Sequence, residues 1–225
     1  MKGPRTRIGR WRERVAAWGF LSALVASLSP AVARADEMAK EPELTVFVGR
    51  LAEVRQLEYD CGRGCWNFDS GYRLRYSVLE AISGDVDPQE ESFDFFGHYG
   101  LPDFTHYDTA LLFVFKGDKE NVMARYLAFP VARTDTGAWA FCGNPYPEEV
   151  SRADRPAFHR VRFQTPIAAS DITAAYRDDM SWSGWKAGMK PGRKRCGNAA
   201  LAEELAAYFR PGAEPGYNRI YLFSE

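Results

Sequence analysis

The stretch YRLRYSVLEAI, residues 72–82, predicts the fold class of this 225-residue chain. Apolar side chains recur at every second position, at Tyr72, Leu74 and Tyr76, and arginines occupy the positions between them. Successive side chains of a β-strand point to opposite faces, so a period of two predicts a strand with one buried face. We therefore expect a sheet that packs on one side and meets solvent on the other.

Further strand patterns lie on both sides of this stretch. LTVFVGRLAEV begins at Leu44 and carries Gly49 as an expected bulge or bend. SFDFF, ALLFVF, RYLAFPV and AWAFC follow residue 82. Turn clusters such as SGDVDP and KGDKEN separate them, and TDTG at 134–137 predicts a hairpin. Together these segments predict a mainly β fold, a small antiparallel barrel of five to six strands.

The last third of the chain changes character and predicts helices. SDITAAYRDD begins near Ser170, and NAALAEELAAYF offers Asn198 as an N-cap, with an apolar stripe that includes Leu201 and Leu205. The terminal NRIYLF predicts one more strand. We expect a signal peptide over 1–35, a β-barrel domain over 36–146, and an α-containing extension over 147–225 that packs on the barrel.

The N-terminal segment has the three parts of a secretory signal peptide. Basic residues precede an apolar run from Val15 to Leu28, and ARA at 33–35 supplies the small residues of a cleavage site. The run is shorter than the roughly 20 residues that cross a bilayer, so an uncleaved anchor is the less favoured alternative. The protein is therefore expected to be exported, to a periplasm or to the extracellular medium, without a stable membrane anchor.

Cleavage after Ala35 changes the charge balance. It leaves 22 Lys and Arg against 29 Asp and Glu, a net charge of about −7. Such an acidic chain is not expected to take nucleic acid as its main partner. No phosphate loop or other cofactor motif occurs in the sequence, so we expect no cofactor.

All four cysteines lie in the exported part, where an even number is typical of disulfides. Glycines in CGRGC favour a tight bridge between Cys61 and Cys65, which pairs Cys142 with Cys196; two other pairings remain possible. A zinc site is the competing interpretation, but the C-x3-C spacing lacks the usual pattern of zinc ligands.

Three segments between Leu44 and Cys142 resemble a known family. FVGRLAEV, VLEAISGD and YDTALLFVF are similar to the glycine-containing first strand, the second strand and the fourth strand of netrin-like and tissue-inhibitor-of-metalloprotease-like OB-fold domains. The resemblance implies an OB-like barrel and a secreted interaction module. Those inhibitors reach the protease metal through an N-terminal cysteine, whereas the first cysteine here is Cys61, so the resemblance does not extend to that mechanism.

The stretch FFGHYGLPDFTHYD, residues 95–108, contains the side chains best suited to binding or catalysis. Imidazoles titrate near neutrality and carboxylates can orient them, so metal binding and acid–base chemistry are chemically possible. The spacing fits no helix face, and GLPD indicates a turn, which favours a polar loop that serves its own backbone or a partner. The candidate binding residues are His98, Tyr99, Asp103, His106 and Tyr107.

Two further segments are candidates for contact with a partner. SWSGW places Trp182 and Trp185 beside a glycine, and exposed tryptophans stack on sugars or anchor protein partners, although packing under the loop is the alternative. KPGRKRC, residues 190–196, can meet an anion ahead of the predicted helix or form a solvated edge.

These observations favour a secreted or periplasmic binding module, with a protein or a glycan as its partner, over an enzyme. No nucleophile elbow and no HExxH motif occurs in the sequence. The alternative is a small hydrolase or metal-dependent enzyme centred on His98 and His106.

Export is testable by N-terminal sequencing of the protein recovered from outside the cytoplasm. We expect the sequence Asp36-Glu37-Met38, because the cleavage motif ends at Ala35. Recovery of a soluble exported protein that begins at Met1 would contradict the prediction.

Overall fold

The computed structural model describes residues 42–58, 70–98, 100–146, 155–174 and 188–213, all within one compact unit, Glu41–Glu225. These residues form nine strands, one α-helix and two 3-10 helices. The elements are β1 (Glu43–Leu57), β2 (Ser70–Ser83), β3 (Glu90–Gly97), a 3-10 helix (Asp103–His106), β4 (Thr109–Lys116), β5 (Val122–Pro130), β6 (Ala132–Arg133), β7 (Trp139–Cys142), β8 (His159–Arg162), β9 (Arg195–Leu201), α1 (Ala202–Phe209) and a second 3-10 helix (Arg210–Gly212).

The first five strands form a mixed sheet, the first sheet. Hydrogen-bonded neighbours follow the order β1-β2-β3-β5-β4, and β4 pairs back with β1. Four of the five neighbouring pairs are antiparallel, as predicted, whereas β3 and β5 run parallel where Asp94 faces Val122. Because β4 also pairs with β1, the number of pairings equals the odd number of strands, and not all of them can be antiparallel.

Strand β1 is the longest, with 15 residues, and it pairs with two neighbours. Its ladder with β2 is irregular between Val48 and Gly49, which confirms the predicted bulge. A Cβ atom at Gly49 would lie 3.0 Å from the Cβ of Tyr76 on β2, closer than side chains normally approach. Glycine at this position therefore lets the two strands pack closely where β1 bends.

Strand β4 separates two hydrophobic clusters. Leu112 and Val114 belong to a cluster with Phe47 and Tyr76, whereas Leu111 and Phe113 belong to a second cluster that reaches β7, β9 and α1. Seven of its eight residues are buried. Burial on both faces explains why ALLFVF is a continuous apolar run without alternation.

Polar side chains connect β3 to its neighbours where the parallel ladder is short. Arg73 donates through two nitrogens to both oxygens of Asp94, at 2.7 and 2.8 Å, and Lys116 contacts Glu91. The carboxyl groups of Asp94 and Glu91 are almost fully buried. A buried carboxylate that lost its cation would be strongly destabilising, so these pairs fix how β3 sits against β2 and β4.

A four-strand second sheet has the order β6-β7-β9-β8. It joins strands from both sides of residue 146, so the region predicted as barrel and the region predicted as extension share one sheet. The predicted TDTG hairpin links β6 to β7, where the Thr134 N–H donates to the Ala138 carbonyl at 2.7 Å. The AWAFC strand therefore lies in this sheet and not in the first one.

The predicted pair Cys142 and Cys196 forms a disulfide, with Cα atoms 5.8 Å apart. It connects β7 to β9 across a separation of 54 residues. The predicted partners Cys61 and Cys65 lie outside the described residues.

The C-terminal helix begins later than predicted. Asn198 does not cap it, because β9 continues in extended conformation to Leu201 and pairs with β7 and β8; α1 begins at Ala202. Of the other predicted helix, Asp171–Ala174 form a turn and the rest lies outside the described residues, as does the NRIYLF segment. No helix among the described residues is long and apolar enough to cross a membrane.

Replacement of Cys142 by serine should lower the free energy of unfolding by about 2–5 kcal/mol, because the bridge restricts a long loop in the unfolded chain. Urea unfolding of the variant and of the wild type checks this, and the reduced wild type serves as the matched control. Equal stability of the oxidised and reduced wild type would contradict the prediction.

Candidate functional site

The predicted binding loop runs from the end of β3 to the start of β4. His98 lies in an exposed turn directly after β3, and Tyr99 lies outside the described residues. Asp103 begins the 3-10 helix that ends at His106. The loop therefore brings His98 and His106 to different environments, one in solvent and one inside the domain.

The second half of this loop is held by the segment around residues 168–173. The Ser170 N–H donates to the His106 carbonyl at 2.9 Å, and the Thr173 hydroxyl donates to the Thr105 carbonyl at 3.0 Å. Tyr107 forms an isolated β-bridge with Ala169. His106 and Tyr107 are each only 3% exposed, so their side chains are not available to a partner in this structure.

Burial also affects the acid–base properties of the loop. It raises the pKa of the Asp103 carboxyl above its ordinary value, and it raises the pKa of the Tyr107 hydroxyl to about 12, with a further contribution from Asp103. Because the folded state favours the protonated form of Asp103, ionisation as the pH rises through the acid range disfavours folding at this site. Both pKa shifts follow from the burial of this part of the loop, where Tyr107 pairs with Ala169.

The described residues contain no group of three His, Cys, Asp or Glu side chains that could hold a metal ion. Asp108, the last carboxylate of the stretch, pairs with Arg50 of β1 at 3.1 Å. Trp182 and Trp185 lie outside the described residues. The structure thus assigns the described part of the predicted loop mainly to internal contacts.

A different exposed element lies in β5. Four residues of β5, 124–127, face the single residue Phe113 of β4, so the chain bulges outward between two regular stretches of the ladder. Tyr126 at the bulge has a φ of 59° and is 80% exposed. The guanidinium of Arg125 lies 5.2 Å from the centre of its ring. We call this element the Arg125–Tyr126 bulge.

The backbone at Tyr126 is strained. Only glycine adopts a positive φ without a steric cost, and a bulky residue in that region is a rare exception. The strain and the exposed ring are both unfavourable for an isolated domain, which makes the bulge a candidate for function. Sequence reasoning missed it, because tyrosine in RYLAFPV is an ordinary strand residue and no glycine or asparagine indicates the bulge.

Several exposed charges of the first sheet form pairs across its strands. Arg75 of β2 donates to Glu90 of β3 at 2.6 Å and to Glu53 of β1 at 2.9 Å. The hydrogen bonds to these two carboxylates raise the pKa of Arg75 above its ordinary value. Such exposed pairs contribute little to stability.

A second cluster that the sequence did not predict joins β8 to α1. Nε2 of His159 lies 2.9 and 3.0 Å from the two carboxylate oxygens of Glu204. The ring of Tyr146 packs against Tyr208 and Phe158 beside this pair. Burial, with Glu204 and Tyr208 nearby, raises the pKa of the Tyr146 hydroxyl to about 12. The cluster connects the edge of the second sheet to the helix.

Comparison of the chain with models of protein families, with curated proteins and with solved structures finds no match.

Separate alanine substitutions of the two histidines test whether the loop is packed at His106 and exposed at His98. His106→Ala should lower the free energy of unfolding by about 1–3 kcal/mol, because it removes a buried side chain and leaves a cavity. His98→Ala, in the exposed turn, should change it by less than about 0.5 kcal/mol.

Urea unfolding of both variants and of the wild type, with zinc and with a chelator, measures these differences. A zinc-dependent gain in wild-type stability that disappears in either variant would contradict the packed-loop interpretation, because a metal that binds only the folded state stabilises it.

Proposed function

We propose that this protein is an exported, non-catalytic binding module with an OB-like barrel, and that its partner is a protein. The proposal of a barrel is supported by the strand order, in which β5 inserts between β3 and β4, and by the single parallel pair at one seam. A five-stranded, partly open Greek-key barrel is the OB arrangement. The disulfide between Cys142 and Cys196 supports export, since such bonds persist in oxidising compartments.

The observation that carries the binding proposal is the Arg125–Tyr126 bulge. A left-handed backbone conformation and an exposed aromatic ring are maintained together at one position, although each is unfavourable in the isolated domain. A partner that covers the ring removes its contact with water, which is worth about 1.5–3 kcal/mol for a large side chain. The same contact would compensate a strain of about 1–3 kcal/mol.

The chemistry of the two side chains favours a protein over a small molecule. Tyrosine and arginine are enriched among the residues that dominate the binding energy of protein interfaces. The ring offers a rigid apolar surface with a polar tip, and Arg125 adds hydrogen-bond donors at its edge. A convex bulge also fits a concave pocket on a partner better than it encloses a ligand of its own.

The alternative, a hydrolase or metal-dependent enzyme centred on His98 and His106, has less support. A general base must come within hydrogen-bond reach of its substrate, and the His106 side chain is 3% exposed beneath the 168–173 segment. No contact among the described residues favours catalysis at His98 and His106 over binding.

The proposal predicts that Tyr126→Gly lowers the affinity for the partner and leaves the stability of the protein nearly unchanged. Glycine adopts the observed φ without strain, and this gain offsets the entropy that it adds to the unfolded chain, so the free energy of unfolding should stay within about 1 kcal/mol of wild type. Partner affinity should fall at least about tenfold, because the ring is removed. Leu79→Gly, on the exposed side of β2, is the matched control and should lose stability but keep affinity.

The partner is first identified by site-specific photocrosslinking in the native cell. A photoreactive phenylalanine analogue at position 126 should form a protein adduct that the same analogue at position 79 does not form. The partner identified in the adduct is then purified, and its affinity for the wild type, Tyr126→Gly and Leu79→Gly is measured by titration. Equal adducts at both positions, no adduct at either, or unchanged affinity of Tyr126→Gly would overturn the proposal.

A further inference from the structure

Two arginines face each other on the second sheet without a carboxylate partner among the described residues. Arg162 of β8 lies directly opposite Arg195 of β9, and both side chains are exposed. Directly opposed residues of antiparallel strands place their side chains on the same face, where like charges are destabilising. Arg160, two positions before Arg162, is exposed on that face as well. We call these three residues the arginine patch.

The charges of the arginine patch have no acidic partner within the described part of the chain. None of the three arginines takes part in an ion pair within 4.0 Å. The N–H of Asp135 donates to the Arg162 carbonyl at 2.8 Å, but among the described residues no ion pair joins the Asp135 carboxylate to the arginine patch. The exposed side chains of Lys190 and Lys194 add further positive charge just before β9.

The first sheet supplies an internal comparison. Arg55 and Arg73 are also directly opposed, on β1 and β2, but there Asp94 accepts two hydrogen bonds from Arg73. Arg50 and Arg75 likewise have carboxylate partners. One member of the opposed pair on the first sheet, Arg73, thus has a carboxylate partner, whereas neither Arg162 nor Arg195 has one among the described residues.

We infer that the arginine patch binds an acidic polysaccharide through carboxylate or sulfate groups on neighbouring sugars. Guanidinium groups bind such oxyanions with two parallel hydrogen bonds, and one anion between Arg162 and Arg195 relieves their mutual repulsion. Residues two apart in a strand lie about 6.6 Å apart, so Arg160 meets a second anionic group along the same strand.

The extent of the patch favours a narrow polymer over a broad anionic surface. It is two strands wide, and residues 36–225 contain 22 basic and 29 acidic residues. A membrane surface or a nucleic-acid duplex would bring its charge close to the acidic remainder of the domain and be repelled. A single acidic glycan chain contacts the strands alone. This site is separate from the Arg125–Tyr126 bulge and does not depend on a protein partner.

The test uses the intact exported protein and polymers of known chemistry. Polygalacturonate and heparin are the carboxylated and sulfated probes, dextran is the neutral probe, and a single-stranded oligothymidylate and anionic lipid vesicles represent other polyanions. Titrations at about 0.1 M salt, where distant surface charges are screened, report local contacts. The variants are Arg162→Gln/Arg195→Gln and the charge-matched control Arg55→Gln/Lys119→Gln, which lies on the first sheet and the β4–β5 loop.

We expect the wild type to bind an acidic polysaccharide and not dextran, with an affinity that falls as salt rises. Arg162→Gln/Arg195→Gln should lose affinity at least about tenfold, the loss expected for two charge-assisted contacts, and should melt at a temperature no lower than wild type because the opposed charges are gone. The control should keep its affinity within about threefold.

Several results would overturn the inference. These are no binding to either acidic polysaccharide, equal loss in the control variant, retained affinity in the patch variant, or tighter binding of the oligonucleotide or the vesicles. Because the photocrosslink at position 126 is a separate readout, failure here leaves the protein-binding proposal unaffected, and the reverse also holds.

Discussion

Burial of β4 on both faces is the constraint on which the rest of the structure depends. Its residues alternate between the cluster enclosed by the first sheet, which receives Leu112 and Val114, and the cluster beneath the second sheet and α1, which receives Leu111 and Phe113. Removal of either layer would expose one set of large apolar side chains to water, at about 25 cal/mol per Å². The first and second sheets are therefore parts of one packed unit, although each has its own hydrogen-bonded ladder.

Two kinds of contact stabilise the layers on either side of β4, namely buried ion pairs in the first sheet and a disulfide in the second. The seam between β3 and β5 has one parallel pair, and the buried pairs Arg73–Asp94 and Lys116–Glu91 supply specific contacts beside it. On the other side, the bridge from Cys142 to Cys196 connects β7 to β9. The buried carboxylates of Asp94 and Glu91 thus have cationic partners, which makes charges of the described surface without such partners informative.

Two surface features lack internal compensation, and each leads to a functional proposal. The backbone strain at Tyr126 is not offset by contacts of its exposed ring beyond Arg125, and the opposition of Arg162 and Arg195 is not offset by an acid. In both cases a bound partner would supply the missing favourable term. The loop that contains His98 and His106 shows the opposite situation, because its hydrogen bonds to residues 170 and 173 satisfy it internally.

Local patterns predicted most strand positions because alternation and apolar runs are properties of neighbouring residues. The pattern at Tyr72, Leu74 and Tyr76 predicted a buried face, and all three are buried. The start of α1 was predicted too early, since Asn198 is a good cap in isolation but here lies in a strand that pairs with β7 and β8. Propensity yields to a ladder when both sides of the strand are paired.

The sequence by itself determined the mainly β class, the positions of β1 to β5 and the irregularity at Gly49. These features follow from periodicity and from backbone freedom. The sequence favoured the pair of Cys142 and Cys196 but left two other pairings open, and the structure decided between them. Only the tertiary structure decided that β6 and β7 join β8 and β9, that His106 is buried, and that Arg162 faces Arg195 across a ladder. Such pairings join residues tens of positions apart, and their register depends on the packing of whole faces, which no local pattern of side chains encodes.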